Sequence, residues 1–330
     1  MEKLKIYVTA HIADVLAKDA ENFEFYKKDG RTLNKNALLT KIVVHYSGRF
    51  SREQAALADF LARKLHAAGS EAAKALPAIF DRLNERAAAT DGEKFDVPLS
   101  LKPTKESEPV IDYIEAYSLS GRTLSEYFRS LFAAYASLPQ DKREEIVFKA
   151  QYDALSDAIR RKKKVFLTTA AKAAMEISPY ALSGSKEELH LYLIGMGRTC
   201  FPLRLSRIAS VTLLPDDAVF PEEQVRLAEK MIRYGPQFAC RAGEGKVLVE
   251  LTPQGEKKFR KLYVHRPVPV KAEGCRLWFD CSHFQIVQYF ERFGKDARVI
   301  YPESVRNAIV SFHRRALAAY GELPPKQDPM

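Results

Sequence analysis

The sequence predicts an α+β protein in three parts, and three patterns along the chain support this prediction. The first half shows a short alternating strand followed by helical stretches, and then shows this pattern a second time. Residues 161–220 hold short strand-like runs separated by Gly, Ser and Pro, which indicates a small antiparallel barrel or sheet. Residues 221–330 follow the order β-α-β-β-α-β. We therefore expect domains at residues 1–160, 161–220 and 221–330.

The composition indicates a folded chain with a basic surface. The apolar fraction of 46% is typical of globular proteins. Lys plus Arg (52) exceeds Asp plus Glu (42), and the resulting net charge of +10 favours polyanionic partners such as nucleic acid. A basic surface that binds no nucleic acid is the alternative.

The sequence shows no signal for export or membrane insertion. Charges interrupt the N-terminal segment, which therefore lacks the apolar region of a signal peptide. No run approaches the ~18 apolar residues of a membrane span. The cysteines, which show no Cys-x-x-Cys spacing, are Cys200, Cys240, Cys275 and Cys281. We expect a cytoplasmic protein with reduced thiols, no metal site, no cofactor and no membrane partner.

The first copy of the repeated pattern opens with a strand over residues 3–9. Its inner face is formed by Leu4, Ile6 and Val8. Its outward face is formed by Lys3, Lys5, Tyr7 and Thr9. A helix to about Tyr26, a turn at Gly30 and an apolar helical stripe over residues 38–46 follow.

Two more helices are expected before the second copy. Ser51 and Gln54 match a capping box, which predicts that a separate helix begins there. An Ala-rich helix is predicted from about Ser70 to Thr90.

The second copy begins with the alternating residues 95–103, in which Pro98 predicts an outer strand or an unpaired amide. Helices are expected at about 110–117, 124–135 and 141–160. The tetrapeptide "GRTL" occurs at Gly30 and again at Gly121, each time opening a helix, although the first apolar stripe is about two residues late. We predict that residues 4–8 and 97–101 pair within one chain.

Three motifs in the middle of the chain carry a resemblance to a known family. They are "SPYAL" (Ser178–Leu182), "LYLIG" (Leu191–Gly195) and "PLRLSRI" (Pro202–Ile208). This region resembles a WYL domain, an Sm-like β-barrel of prokaryotic regulators, with Leu191 in place of the Trp that opens the family's triplet. The region after Val219 is similar to the ferredoxin-like C-terminal extension that follows WYL domains, which implies a homodimer.

The N-terminal half resembles ribbon-helix-helix units, in which two chains normally supply one strand each to a ribbon. The three-part order resembles that of accessory proteins of type VI CRISPR RNA-targeting effectors. This resemblance implies a partner effector protein and single-stranded RNA as ligand. A ligand-responsive transcriptional regulator that binds operator DNA through the ribbon is the alternative, and a protein-interaction scaffold is the third.

Two sets of candidate nucleic-acid-binding residues follow. The ribbon set contains cations and one ring: Lys3, Lys5, Tyr7, Arg31 and Lys35. Because Asp96 and Pro98 on the second strand suit nucleic acid poorly, a scaffold role for this module is left open. The WYL-like set, predicted to be the main site, combines phosphate-binding arginines with a stacking ring: Tyr192, Arg204, Ser206, Arg207, Arg198 and His190. Structural pairing of these arginines with Glu187, Glu188 or Asp216 is the alternative.

No catalytic pattern is present in the sequence. "GMGRTC" at Gly195 lacks the third Gly of a dinucleotide motif, and "GEGK" lacks the remainder of a P-loop. The seven His residues form no metal-ligand spacing. We therefore expect a regulatory protein without enzymatic activity. The run "RRKKK" (Arg160–Lys164) is expected to be a solvated charge run, or a source of non-specific phosphate affinity.

Overall fold

The computed structural model describes residues 3–64, 79, 94–119, 121–185 and 187–321. Within these residues the protein is α+β, and its sheets are antiparallel. The chain divides into two compact units, Met1–Asp153 and Ala154–Met330. The predicted Ala-rich helix at 70–90 lies outside the described residues, apart from residue 79. None of the described helices is long and apolar enough to cross a membrane.

A two-stranded antiparallel ribbon begins the first unit. Strand β1 (Leu4–Val8) pairs with β2 (Val97–Leu101), and Tyr7 lies opposite Pro98. This confirms the pairing that the repeated pattern predicts. Since β2 has no second neighbour among the described strands, Pro98 sits on an outer strand, where its missing amide is tolerated.

Five helices complete the described part of this unit. They are α1 (Ala10–Asn22), α2 (Lys35–Lys64), α3 (Glu108–Tyr117), α4 (Leu124–Ala136) and α5 (Gln140–Val147). Helix α2 runs unbroken for 30 residues, so the separate helix predicted at Ser51 is wrong. Arg49 Nε donates to Glu53 across the predicted break at 2.6 Å, and the Ser51 hydroxyl lies 2.8 Å from Tyr127 Oη. A side chain engaged with another helix does not cap its own.

The two "GRTL" segments differ in how they meet the following helix. In the first copy, the cap is Asn34, whose side chain accepts from Ala37 N at 3.2 Å. In the second, Thr123 of the motif itself is the cap and forms a capping box with Glu126. The backbone hydrogen bond from Thr123 holds the pKa of Glu126 below its usual value. The first motif thus ends ahead of its helix, which corrects the expectation that it opens α2 and explains the two-residue offset.

A fully buried carboxylate joins three helices of the first unit. Asp19 on α1 accepts two hydrogen bonds from the Arg143 guanidinium on α5, at 2.7 and 2.9 Å. Tyr135 on α4 donates its hydroxyl to Asp19 at 2.8 Å. Burial and the neighbouring carboxylate raise the pKa of Tyr135 well above its usual value, so it remains a donor. The three side chains fix α1, α4 and α5 within the apolar core.

A five-stranded sheet begins the second unit, after helix α6 (Lys149–Arg161). Its strands are β3 (Lys163–Thr169), β4 (Ala174–Gly184), β5 (Leu191–Met196), β6 (Cys200–Arg204) and β7 (Ile208–Asp217). Their spatial order is β6-β5-β4-β3-β7. A 3-10 turn at Leu205–Arg207 separates the last two strands, because the chain must pass from one outer strand of the sheet to the other.

The rest of the second unit follows the order predicted from the sequence. Its elements are α7 (Glu222–Tyr234), β8 (Val247–Leu251), α8 (Pro253–Lys261), β9 (Pro269–Glu273), β10 (Arg276–Phe279), α9 (His283–Phe290), β11 (Ala297–Tyr301) and α10 (Glu303–Ala319). The sheet order is β11-β8-β10-β9. Its core is a group of mutually packed rings: Phe259, Phe279, Tyr289, Phe290 and Phe293.

Helix α8 lies against the 3-10 turn at Glu291–Asp296 with no space for a side chain at Gly255. A Cβ added there would lie 2.0 Å from the backbone oxygen of Asp296. That turn is held in place, since Lys258 Nζ and Thr252 Oγ1 both donate to the Asp296 carboxylate. Glycine is therefore required by the close approach of two backbone segments.

Candidate nucleic-acid interface

The outward face of the ribbon is exposed and changes in charge from one end to the other. The register places Lys5 opposite Ser100 and Tyr7 opposite Pro98. Continued by one pair, it brings the exposed Lys3 and Lys102 to the same end. Asp96, two residues before Pro98, lies at the opposite end of the face. The full outward set is Lys3, Lys5, Tyr7, Asp96, Pro98, Ser100 and Lys102.

A cation and an aromatic ring lie together at the centre of this face. Lys5 Nζ is 5.0 Å from the centroid of the Tyr7 ring, and the Tyr7 side chain is 38% exposed. Such a pair offers a phosphate contact beside a ring on which an unpaired base can stack.

Thr9 does not belong to the outward face, contrary to the sequence prediction. The strand ends at Val8, and Thr9 is the N-cap of α1, where its Oγ1 accepts from Ile12 N at 3.3 Å. The residue is fully buried. Alternation fails here because the next element begins at once.

Helix α4 holds the ribbon through the backbone of β1. Arg129 Nε donates to Tyr7 O at 2.9 Å, and Ser125 Oγ donates to Lys5 O at 3.2 Å. The Arg129 guanidinium also stacks over Phe95, next to the second strand, at 5.0 Å. Because these α4 side chains bind only the carbonyl oxygens of Lys5 and Tyr7, the side chains of Lys5 and Tyr7 remain available to a ligand.

The beginning of α2 is joined to the basic end of the ribbon. The Asn36 side chain accepts from Lys102 N at 2.7 Å and donates to Lys102 O at 3.1 Å. The exposed Lys35 therefore lies near the basic end of the ribbon, and its contact with a phosphate stays a prediction.

Arg31 lies in the turn that precedes α2, beside a carboxylate. Its amide and that of Thr32 both donate to Asp29 Oδ1 at 2.9 Å. Hydrogen bonds from Thr32, the side chain first, lower the pKa of Asp29 to about 2. The ionised Asp29 reduces the positive potential that Arg31 offers to a phosphate.

The WYL-like candidates divide between two ends of the five-stranded sheet. Tyr192 and Arg204 face each other across β5 and β6, with His190 and Ser206 just beyond them. Arg198 lies in the β5–β6 turn at the opposite end, roughly 20 Å away by strand length. The six residues do not form one continuous face.

Tyr192 is a core residue whose ring is not open to a base. Its side chain is 7% exposed, and its hydroxyl donates to Glu188 Oε2 at 2.7 Å. On the same face of β5, Ile194 and Met196 pack against α7. Glu188, which the sequence also offers as a structural partner for the arginines, accepts this hydrogen bond from the tyrosine.

Arg204, Ser206 and Arg207 differ in exposure because β6 ends at Arg204. The predicted alternation past this point is wrong, since residues 205–207 form the 3-10 turn. Arg204 is half-buried, Arg207 is exposed, and the buried Ser206 Oγ has no hydrogen-bond partner among the described residues.

Most of the "RRKKK" run is engaged in ion pairs. Arg160 and Arg161 contact Asp157, Lys163 Nζ lies 2.8 Å from Asp217, and Lys164 Nζ lies 2.8 Å from Glu176. The run therefore supports the junction of α6 and β3 more than a separate phosphate site.

Comparison with solved structures finds proteins of similar fold. The crystal structure of a CRISPR Cas-related protein aligns with a TM-score of 0.67 and 17% identity, over 97% of this chain and 94% of that chain. At this identity the likeness shows a shared fold and nothing more. No protein-family model and no curated protein matches the sequence.

A second solved structure aligns only weakly. It is the proteasome accessory factor B/C (PafBC) of Arthrobacter aurescens, with a TM-score of 0.27 and 14% identity, over 97% of this chain and 50% of that chain. A TM-score this low carries no argument about fold.

The structure adds residues that the sequence prediction left out. Asn36 and Ser125 each occupy the second position of a helix and bind ribbon backbone, and Arg129 binds it one turn later. Aligning the two copies on their helix caps would have placed Asn36 and Ser125 at equivalent positions. Among the described residues no group of His, Cys, Asp or Glu could hold a metal ion.

Proposed function

We propose that this protein is a non-enzymatic accessory protein that binds single-stranded RNA through its ribbon and modulates an RNA-targeting CRISPR effector. The exposed Lys5–Tyr7 pair on the outward face of the ribbon carries the proposal. Lys3, Lys35 and Lys102 add positive charge at the basic end of the ribbon, beside this pair. The fold shared with a CRISPR Cas-related protein supports the CRISPR setting.

The ribbon face favours a single strand over a duplex operator. Tyr7 and Pro98 form a flat apolar patch at its centre, which suits an unpaired base. Base-edge reading in a major groove needs donors and acceptors along both strands, and Pro98 offers none. Asp96 repels phosphate at one end, so the face as a whole suits the closely spaced phosphates of a duplex poorly.

The strand orders support a more specific assignment of each part. The ribbon with its helix pairs fits a tandem ribbon-helix-helix-like module, residues 1–160. The order β6-β5-β4-β3-β7 fits a WYL-like, Sm-like barrel, residues 161–220. The order β11-β8-β10-β9 fits a ferredoxin-like domain, residues 221–330. Arg204 and Arg207 are proposed as a second RNA contact on the barrel.

We expect Tyr7→Ala to weaken binding of a fluorescein-labelled single-stranded RNA by about 1–3 kcal/mol, measured by fluorescence anisotropy. The salt dependence of binding should hardly change, because no phosphate contact is lost. Lys5→Ala should weaken binding and reduce the slope of log K against log salt by about one.

Tyr26→Ala is the matched control, since that ring is 39% exposed against 38% for Tyr7 and belongs to the same unit. It should bind RNA as the unmodified chain does. Tighter binding to duplex DNA of the same sequence would support the operator-binding alternative. Loss of RNA binding in Arg204→Ala but not in Tyr7→Ala would move the site to the barrel.

We also propose a homodimer formed by the C-terminal domain. In that domain Phe279, Phe290 and Phe293 are buried in its own core, while Tyr301 is exposed and available to an interface. Light scattering should show a dimer for the full chain and a monomer for a chain ending at Pro221. A stable dimer of the shortened chain would contradict this assignment.

A further inference from the structure

The sheet β11-β8-β10-β9 has one face in the core and one face that is open. Along the central strand β8, Leu248 and Glu250 are half-buried, and the residues that alternate with them are buried: Val247, Val249 and Leu251. The buried positions pack with residues of α8 and α9 in the core of the domain. Because successive side chains of a strand point to opposite faces, Leu248 and Glu250 belong to the face that is turned away from this core. We call it the open face.

Two rings and a leucine form a row across the open face. The register pairs Tyr301 with Leu248 and Leu248 with Trp278, and side chains directly opposite each other on paired strands project on the same side. Tyr301 is 56% exposed, and Trp278 is half-buried. Since Tyr301 and Trp278 are two strands apart, their backbones lie about 10 Å from each other. The row therefore offers two ring surfaces with an apolar residue between them.

The neighbouring row of the open face is charged. The register places four side chains in it, in the order Arg298, Glu250, Arg276 and Glu273. Arg276 Nε donates to Glu250 at 3.0 Å, and Glu273 forms an ion pair with Lys271, which lies opposite Trp278. Both carboxylates are thus compensated by cations of the same face, whereas the exposed Arg298 has no ion pair among the described residues. The two rows together carry a positive charge.

Rings and guanidinium groups in neighbouring rows suit a single strand of nucleic acid. Unpaired bases stack on aromatic side chains while cations contact phosphates, and four-stranded sheets that expose rings bind single-stranded RNA in this way. A duplex keeps the faces of its bases stacked on one another and cannot use the rings. A basic peptide would need carboxylates, but those of the open face are already paired.

We propose that the open face is a separate binding site for single-stranded RNA, in which Trp278 and Tyr301 stack on bases and Arg298 contacts a phosphate. The choice of RNA rests on the proposed function. The site itself does not depend on the ribbon, because all of its residues belong to the second compact unit.

The test follows the fluorescence of Trp278, the single tryptophan, while a single-stranded oligouridylate is added to the full chain. A base stacked on the indole should quench this fluorescence in a saturable manner. Quenching should persist in Tyr7→Ala, whose defect is expected at the ribbon. Tyr301→Ala should raise the oligouridylate concentration that gives half-maximal quenching about tenfold, because one stacked base is lost. Arg298→Ala should also weaken binding and should reduce the slope of log K against log salt by about one.

Phe284→Ala is the matched control, because Phe284 is 52% exposed, close to the value for Tyr301, but belongs to α9, which packs on the other face of the sheet. Its quenching should equal that of the unmodified chain, and a duplex RNA of the same length should not quench. Unchanged Trp278 fluorescence while anisotropy shows the oligouridylate bound would overturn this proposal and leave the ribbon site intact. Loss of self-association in Tyr301→Ala with unaltered quenching would also overturn it, and would assign the open face to the dimer.

Discussion

Replacing Asp19 by Ala should lower the free energy of unfolding of the first unit by about 3–5 kcal/mol. The carboxylate is fully buried and accepts from both Arg143 and Tyr135. Its removal leaves a largely buried guanidinium and a buried hydroxyl without their acceptor, and the cost of an unpaired buried charge dominates the effect.

Amide hydrogen exchange of the full chain is the suitable measurement, because it reports on α1, α4 and α5 separately from the second unit. Protection of these helices should fall in Asp19→Ala. Asp153→Ala is the control: its pair with Lys149 is about half exposed on both sides and should contribute less than about 1 kcal/mol. Similar losses in the two variants would show that the buried pair contributes no more than a surface pair.

Gly255→Ala should destabilise the second unit by about 3 kcal/mol, at the upper end of overpacking effects. The added methyl group meets the backbone oxygen of Asp296 at 2.0 Å. A flexible side chain could move aside, but this carbonyl belongs to a turn tied to α8 by Lys258 and Thr252. The clash between the methyl group and this carbonyl can therefore be relieved only if α8 and the turn move apart.

Urea unfolding followed by the fluorescence of Trp278, the single tryptophan, reports on this unit. The midpoint should move to lower urea in Gly255→Ala. Gly245→Ala is the control, because nothing lies within 4 Å of the added methyl group there. An unchanged midpoint in Gly255→Ala would mean that the turn adapts without loss of packing.

The ribbon could be predicted from sequence because strand alternation depends only on the next few residues. Both strands follow from the period-two patterns in residues 3–9 and 95–103, and their pairing within one chain follows from the internal duplication marked by the repeated "GRTL". Alternation gave wrong assignments where an element ends: Thr9 caps a helix, and residues 205–207 turn between strands. The helix start predicted from the capping-box pattern at Ser51 is wrong, and the Ser51 hydroxyl instead contacts Tyr127, which is distant in sequence.

The hydrogen-bond partner of Tyr192 is local, but the helix that packs on its face of the sheet lies farther along the chain. Arg204 and Tyr192 are neighbours across two strands, as alternation suggests, but α7 covers this face of the sheet. One local signal was present: "LYLIGM" is nearly continuously apolar, and such runs are typical of strands buried on both faces. The contacts of Ser125 and Arg129 with β1 have no comparable signal, because they join residues about 120 positions apart.

Because a single polypeptide supplies both ribbon strands, the two strands can change in sequence independently. In a ribbon made by two identical chains, every substitution appears twice, so a carboxylate that discourages phosphate at one end must do so at both. Here the two strands differ in sequence. Asp96 and Pro98 are not repeated at the equivalent positions of the first strand, and Lys5 and Tyr7 are not repeated on the second. Strand pairing within one molecule also does not weaken on dilution, since its effective concentration is set by the chain itself. The surface is therefore polar at any concentration of the protein, and an RNA strand bound as proposed would have a defined direction on it.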